Sequence, residues 1–214
     1  MLHDVVLTGH GFRLEPLALE HAETLAGLVD EAMWSGMSTP MPHGAAGMAE
    51  LVAATRCAPD LTGFVVRRVE PDGSTGDVLG STAFRDLSLV DPRVEIGRTF
   101  YARATWGSLV NPVTKLLLLR HAFETWDVHR VGFRVDARND RSLGAMRRLG
   151  AHEEGVMRGH RSAPDGSRTD SVVFSVLAPE WPGIESGLLE RITRPRVVST
   201  LTLPVPEALP LVAS

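Results

Sequence analysis

RVDARNDRSLGAMRRLGAHEEG, running from Arg134 to Gly155, is the stretch that decides how this chain is read. Its first residues form the end of a strand. Asn139 is a favoured helix cap, Leu143, Met146 and Leu149 fall on one face of the short helix it opens, and Gly150 offers a left-handed stop. Ser142 lies in the first turn, beside the cap. Local physics leaves two readings open: a polar pair presented to a ligand, or a cap and a solvated serine in an ordinary α/β domain.

Working outward, HRVGFRVDA is the strand before this helix, and AHEEGVMRGHR and TDSVVFSVL are the two after it, with Asp165 and Gly166 at a hairpin tip. Upstream, RVEIGRTFYA is a strand that points Glu95 to the opposite face from Val94. The loop WGSLVNP, residues 106–112, leads from it into a helix expected from Pro112 to about Trp126, with Asn111 as its cap and Pro112 at its first helical position. Free N–H groups and the positive dipole end of that first turn suit a phosphate, and Gly107 lets a ligand approach the backbone. Nearer the N-terminus, FRLEPLAL begins as a strand, and Leu17, Leu25, Leu28, Val29 and Ala32 recur at helical spacing, predicting a helix near residues 18–34. A second helix is expected over Met48–Arg56. GFVVRRVE and DVLGSTAFRDLSL flank PDGSTG as a hairpin. A short helix over Ile184–Ile192 precedes the proline-bearing tail, which should be extended.

Composition bounds the function. A chain of 214 residues with 43% hydrophobic and 22% charged residues is an ordinary globule, and we expect one domain over residues 1–192 with an extended tail over 193–214. No stretch approaches the roughly 20 apolar residues of a bilayer span, and the first residues lack a secretory layout, so a cytoplasmic protein without membrane contact is expected. A net charge of -4 argues against nucleic acid as partner. Cys57 is the lone cysteine, and His121, His129, His152 and His160 show no ligand spacing, so no metal is expected. Basic residues are almost all arginine, with Lys115 the only lysine, and this arginine bias reads as coding bias rather than function.

The order of these pieces is specific: VEIG, WGSLVNPVTKLLLLRHAFE, RVDARNDRS with RRLGA and EG, then PDGSRTDSVVFSVL and EW. Over roughly residues 10–182 the chain resembles the GNAT N-acetyltransferases, most closely the branch that includes the ribosomal-protein N-terminal alanine acetyltransferases. The resemblance implies an α/β (α+β) fold: a mixed, mostly antiparallel sheet flanked by helices and splayed between central strands, with acetyl-CoA as acyl donor in the gap and no metal. By position it implies that Phe100 and Tyr101 lie on the strand that pairs with the pantetheine. Gly107, Ser108, Leu109, Val110 and Asn111 would form the pyrophosphate loop, Asn139 would contact the pantetheine arm, and Ser142 would neighbour the thioester sulfur. Arg147 or Arg148 would approach the nucleotide. Trp106, Leu109 and Asn111 depart from the family's loop, which has Gln or Arg, Gly, and Gly or Ala there. Amine acetylation needs a base and an acid; Glu95 is the candidate base and Ser142 the candidate acid or thiolate donor. The implied reaction moves an acetyl group to a primary amine, on a protein N-terminus or a small molecule. The alternative is a non-catalytic CoA-binding or protein-interaction module with a degenerate loop. The apolar tail suggests a second copy of the chain as a further partner.

Overall fold

In the computed structural model, which describes residues 3–37, 39–163 and 166–194, two short strands, β1 (Leu7–Gly9) and β2 (Phe12–Pro16), open the chain as a tight hairpin. His10 and Gly11 turn it with φ of 51° and 79°, the left-handed pair that such turns demand. The helix expected over residues 18–34 is broken. A 3-10 turn leads into α1 (Ala22–Ala26), which ends at Gly27, and α2 (Glu31–Trp34) restarts where Asp30 caps it by accepting from the Met33 N–H at 2.9 Å. A mid-segment cap residue stops one helix and starts the next more effectively than periodicity carries it through. Then follow α3 (Gly44–Cys57), β3 (Leu61–Val69), β4 (Thr75–Ser88), β5 (Arg93–Tyr101), α4 (Val110–Arg120) with a wider turn over His121–Thr125, β6 (Arg130–Asp136), α5 (Asp140–Leu149), β7 (His152–Ser162), β8 (Arg168–Leu177) and α6 (Trp181–Thr193). α4 starts two residues earlier than its proline suggested, so Asn111 sits inside the first turn rather than at the cap. The expected tail falls, from residue 195 on, outside the described residues.

These strands form one eight-stranded sheet in the order β1-β2-β3-β4-β5-β6-β8-β7. Every neighbouring pair is antiparallel except β5 and β6, which run parallel. Helices cover both faces. On one, α4, α5 and α6 bury Val113, Leu116, Leu118, Leu119, Met146 and Leu188 in a core shared with β2 to β6 and β8; on the other, α1 to α3 bury Leu25, Trp34, Met48 and Val52. Each fully buried leucine contributes about 2 kcal/mol to this arrangement, which is why α4 is fixed so firmly beside β5.

A bulge shapes the centre. Between the pairs Ala83↔Gly97 and Ser81↔Phe100, β5 carries one more residue than β4, and Arg98 takes a φ of 49°. The extra residue inverts the alternation: Val94 and Ile96 face α4, whereas Phe100 faces α1 to α3. Gly80 holds the end of this ladder. A Cβ there would lie 2.1 Å from the Phe100 carbonyl oxygen, at a φ of 157°. Gly80→Ala should therefore cost roughly 2–4 kcal/mol of unfolding free energy, read from the urea midpoint; a change below about 0.5 kcal/mol would mean that the β4–β5 register is not rigid here.

Candidate active site

β5 and β6 are in register over three pairs, Arg93↔Arg130, Val94↔Val131 and Glu95↔Gly132, and then separate. Each keeps its other neighbour: β6 stays paired with β8 from Arg130 to Asp136, and β5 with β4 up to Tyr101. From Ile96 onward the β6-facing edge of β5 has no strand partner, and backbone groups at such an edge need acceptors and donors from elsewhere. A cleft opens between the strands, lined by Ile96 to Tyr101, by Phe133 to Asp136, and by the starts of α4 and α5.

Its mouth is built from the loop before α4 and the first turn of α5. Gly107 takes a φ of 73°. Ser108 Oγ accepts from the Val110 N–H at 3.2 Å. Leu109 has an ordinary right-handed backbone and packs on the core, so its side chain is directed away from the helix end. Trp106 locks the loop: its indole N–H donates to the Tyr101 carbonyl at 3.0 Å, and its ring is faced by the Arg103 and Arg141 guanidinium groups at 4.7 and 3.7 Å. Arg141 belongs to α5, so this stack ties one bank of the cleft to the other. Arg103 also pairs with Asp30 at the start of α2, and that hydrogen bond, with the one from Met33, draws the Asp30 carboxyl down to about 2.

The opening stretch folds as its sequence indicates. Asn139 caps α5, its Oδ1 accepting from the Ser142 N–H at 3.0 Å, and Gly150 ends the helix with a φ of 87°. Asn139 and Ser142 both line the cleft. Asn139 is held from behind: its own N–H donates to the Asp136 carbonyl at 2.9 Å, and a Cβ on Gly36 would come within 2.2 Å of its amide nitrogen. Asp136 is the hub. Burial pushes its carboxyl upward, but hydrogen bonds from Arg138 and Thr169 and the charge of Arg161 outweigh that and hold it below the usual range. Arg161 reaches from β7 to Asp136 Oδ2 at 2.9 Å and to the Gly36 carbonyl at 3.2 Å, fixing the loop after α2 over the cleft.

Glu95 is not brought to this group. It sits on the last closed rung of the β5–β6 ladder, and its carboxylate accepts from Arg134 Nε at 2.9 Å with Arg85 3.7 Å away. It lines a separate hollow with Asp86, Arg93 and Arg130. Phe100, Tyr101, Gly107, Ser108, Asn111, Asn139 and Ser142 all border the cleft. Arg148 borders it too, whereas Arg147 pairs with Glu153. Lys115, to which the sequence reading gave no role, is 4% exposed and lines the cleft floor. The signal available beforehand was a lone lysine within an apolar helix segment. Beyond the mouth lies a wider hollow of about 860 Å³, bordered by Trp34, Met41, His43, Arg138 and Asp140. Among the described residues no group of His, Cys, Asp and Glu gathers that could hold a metal ion, and no helix is long and apolar enough to cross a membrane.

Comparison with known proteins agrees with this geometry. Residues 12–152 match the acetyltransferase (GNAT) domain family. The chain is 27% identical over 109 residues to an uncharacterized N-acetyltransferase of Bacillus licheniformis, a match covering 51% of this chain and 60% of that relative's length. It superimposes with a TM-score of 0.80 on the crystal structure of a candidate acetyltransferase from T. thermophilus, at 33% identity, covering 89% of this chain and 98% of the other. It shares its fold, at 18% identity and a TM-score of 0.71, with Mycobacterium smegmatis RimJ in complex with CoA-disulfide, covering 87% and 92% of the two chains. A sheet parted between β5 and β6, two helix starts at the gap and these matches lead to one conclusion: the chain belongs to the GNAT acetyltransferase family, the acyl-CoA-dependent N-acyltransferases.

Proposed function

We propose that this protein transfers an acetyl group from acetyl-CoA to a primary amine, and that the amine is a protein N-terminus or a small-molecule amine presented in the hollow beside α2. The observation that carries this reading is the separation of β5 from β6 after Glu95, which leaves one edge of β5 without a strand partner alongside the start of α4. The hollow is wide enough for a peptide terminus. One structure with the same fold, at 17% identity, is described as a candidate ribosomal-protein-serine acetyltransferase from Vibrio cholerae, which keeps a protein amine among the acceptors.

In this reading the Asn111 N–H in the first turn of α4 and the guanidinium of Arg141 bind the diphosphate, and the unpaired edge of β5 pairs with the pantetheine. Asn139 contacts the arm through its amide. The amine attacks the thioester carbonyl carbon, and a β5 backbone N–H stabilises the oxyanion. As the carbon–sulfur bond breaks, the attacking nitrogen gives its proton to solvent water, the thiolate leaves with a hydrogen bond from the Ser142 hydroxyl, and a proton from solvent returns to the sulfur, so the products are the amide and the CoA thiol. The departures in the loop do not obstruct this path, since Leu109 packs inward and Trp106 is tied to Tyr101. Glu95 would take the amine's proton only by way of water. Its bond to Arg134 favours the role of a strut that closes the lower half of the β5–β6 ladder.

Calorimetric titration with acetyl-CoA, followed by mass detection of an acetylated peptide or amine, tests the proposal. Binding with product formation is expected. Binding without turnover on any amine would instead establish a non-catalytic module, and no binding at millimolar donor would remove the reading altogether. Asn139→Ala should weaken acetyl-CoA binding roughly three- to tenfold, as loss of a hydrogen bond does, and lower stability by about 1 kcal/mol through the lost cap. An unchanged dissociation constant would take Asn139 out of the donor site. Glu95→Gln should lower the unfolding midpoint while leaving kcat within about threefold; a fall of a hundredfold or more, in the range of lost general-base catalysis, with donor affinity intact would make Glu95 the base after all.

A further inference from the structure

Lys115 is the only lysine in the sequence, and it sits where a charge is hardest to keep. It lies on α4 between Thr114 and Leu116, both without exposed surface, and is itself 4% exposed. Its side chain reaches beneath the gap toward β6, with Nζ 5.4 Å from the centre of the Phe133 ring. No other charged or hydrogen-bonding partner for Nζ is found among the described residues. The charged and titratable side chains that share the cleft are Arg98 and Tyr101 from β5, Asp136 from β6, Arg141 and Arg148 from α5, and Arg161 from β7. Asp136 is the one carboxylate among them, and Arg138, Arg161 and Thr169 already hold it. Arg134 also borders the cleft, but its guanidinium is turned to Glu95 and Asp86.

A buried amine facing an aromatic ring alone is costly, and a leucine or methionine would fill the same space without that penalty. The position along α4 says what could compensate. Lys115 is five residues beyond Val110, about 7.5 Å down the helix axis at 1.5 Å per residue, so it lies below the diphosphate end and under the track of the arm. That arm presents amide and thioester carbonyl oxygens. We propose that Lys115 is a donor-binding residue, whose Nζ donates a hydrogen bond to a carbonyl oxygen of the pantetheine arm of acyl-CoA from the floor of the β5–β6 cleft. This rests on the cleft accepting acyl-CoA, as proposed above.

Proton uptake on binding follows. Burial brings the amine from 10.5 down to about 7 in the free protein. At pH 8 it is therefore mostly neutral, and a carbonyl acceptor favours the charged form. In the free protein the sign is equally definite. Between about pH 7 and the unfolded value the unfolded chain holds the extra proton, so stability rises with pH through that window, and Lys115→Met removes the rise.

The experiment titrates acetyl-CoA into wild-type protein, Lys115→Met and Lys115→Gln at pH 8, in phosphate and in Tris, whose ionisation heats differ. Wild-type protein should take up half a proton or more beyond either variant, roughly, and both variants should bind about tenfold more weakly, a loss typical of a hydrogen bond from a charged group. Thermal unfolding of the free proteins from pH 7 to pH 10 should show a rising midpoint for wild type and a flatter one for Lys115→Met. Wild-type protein that binds no donor would defeat the functional proposal itself. Wild-type and variant proteins that bind donor with equal affinity and equal proton uptake would overturn the role of Lys115 while leaving that proposal standing.

Discussion

Two strands that each have a better partner on the far side create the site. β6 is committed to β8 along its whole length, and β5 follows β4 through a bulge, so the two share three rungs and then diverge. A parallel pair is somewhat weaker per residue than an antiparallel one, and the sheet gives up its parallel contact where it must bend. The lower rungs, closed by Glu95 and Arg134, fix where the divergence starts. Above them the β6-facing edge of β5 has no strand partner and borders a cleft, where backbone groups need donors and acceptors from elsewhere.

Everything around the gap holds its banks apart or holds them in place. Arg98 in a left-handed conformation turns β5 and exchanges which residues face each layer. Asp136 gathers Arg138, Arg161 and Thr169 at the end of β6, and Arg161 carries that order to Gly36 in the loop after α2. Asn139, placed between Asp136 and Gly36, is thus positioned by two elements that are distant in sequence. The Trp106 and Arg141 stack crosses the mouth, and Asp30 with Arg103 ties α2 to the same loop. These few polar contacts join the two banks of the cleft to the loop after α2.

The local elements were largely legible. Asn139 as cap, Gly150 as stop, the Asp-Gly turn between β3 and β4 and the leucine-rich α4 are specified by near neighbours, and each appears where its residues indicate. Some local features were not. The β1 strand is three residues long, too short for alternation to register. The interruption between α1 and α2 depends on Asp30 capping a second helix, which apolar spacing alone does not reveal. Asn111 and Pro112 marked a helix start correctly but by two residues too late.

By itself the sequence determined the caps, turns and apolar faces, and through their order the membership in this fold, because those signals act over a few residues of backbone. Only tertiary structure decided which polar side chains meet. Glu95 and Ser142, both plausible from their strand and helix positions, are separated because one lies on the closed rungs and the other above the opening. Lys115 had no role in the sequence reading and is a buried amine under the cleft, since burial and the lack of an ion-pair partner among the described residues are properties of packing that no single stretch of sequence contains.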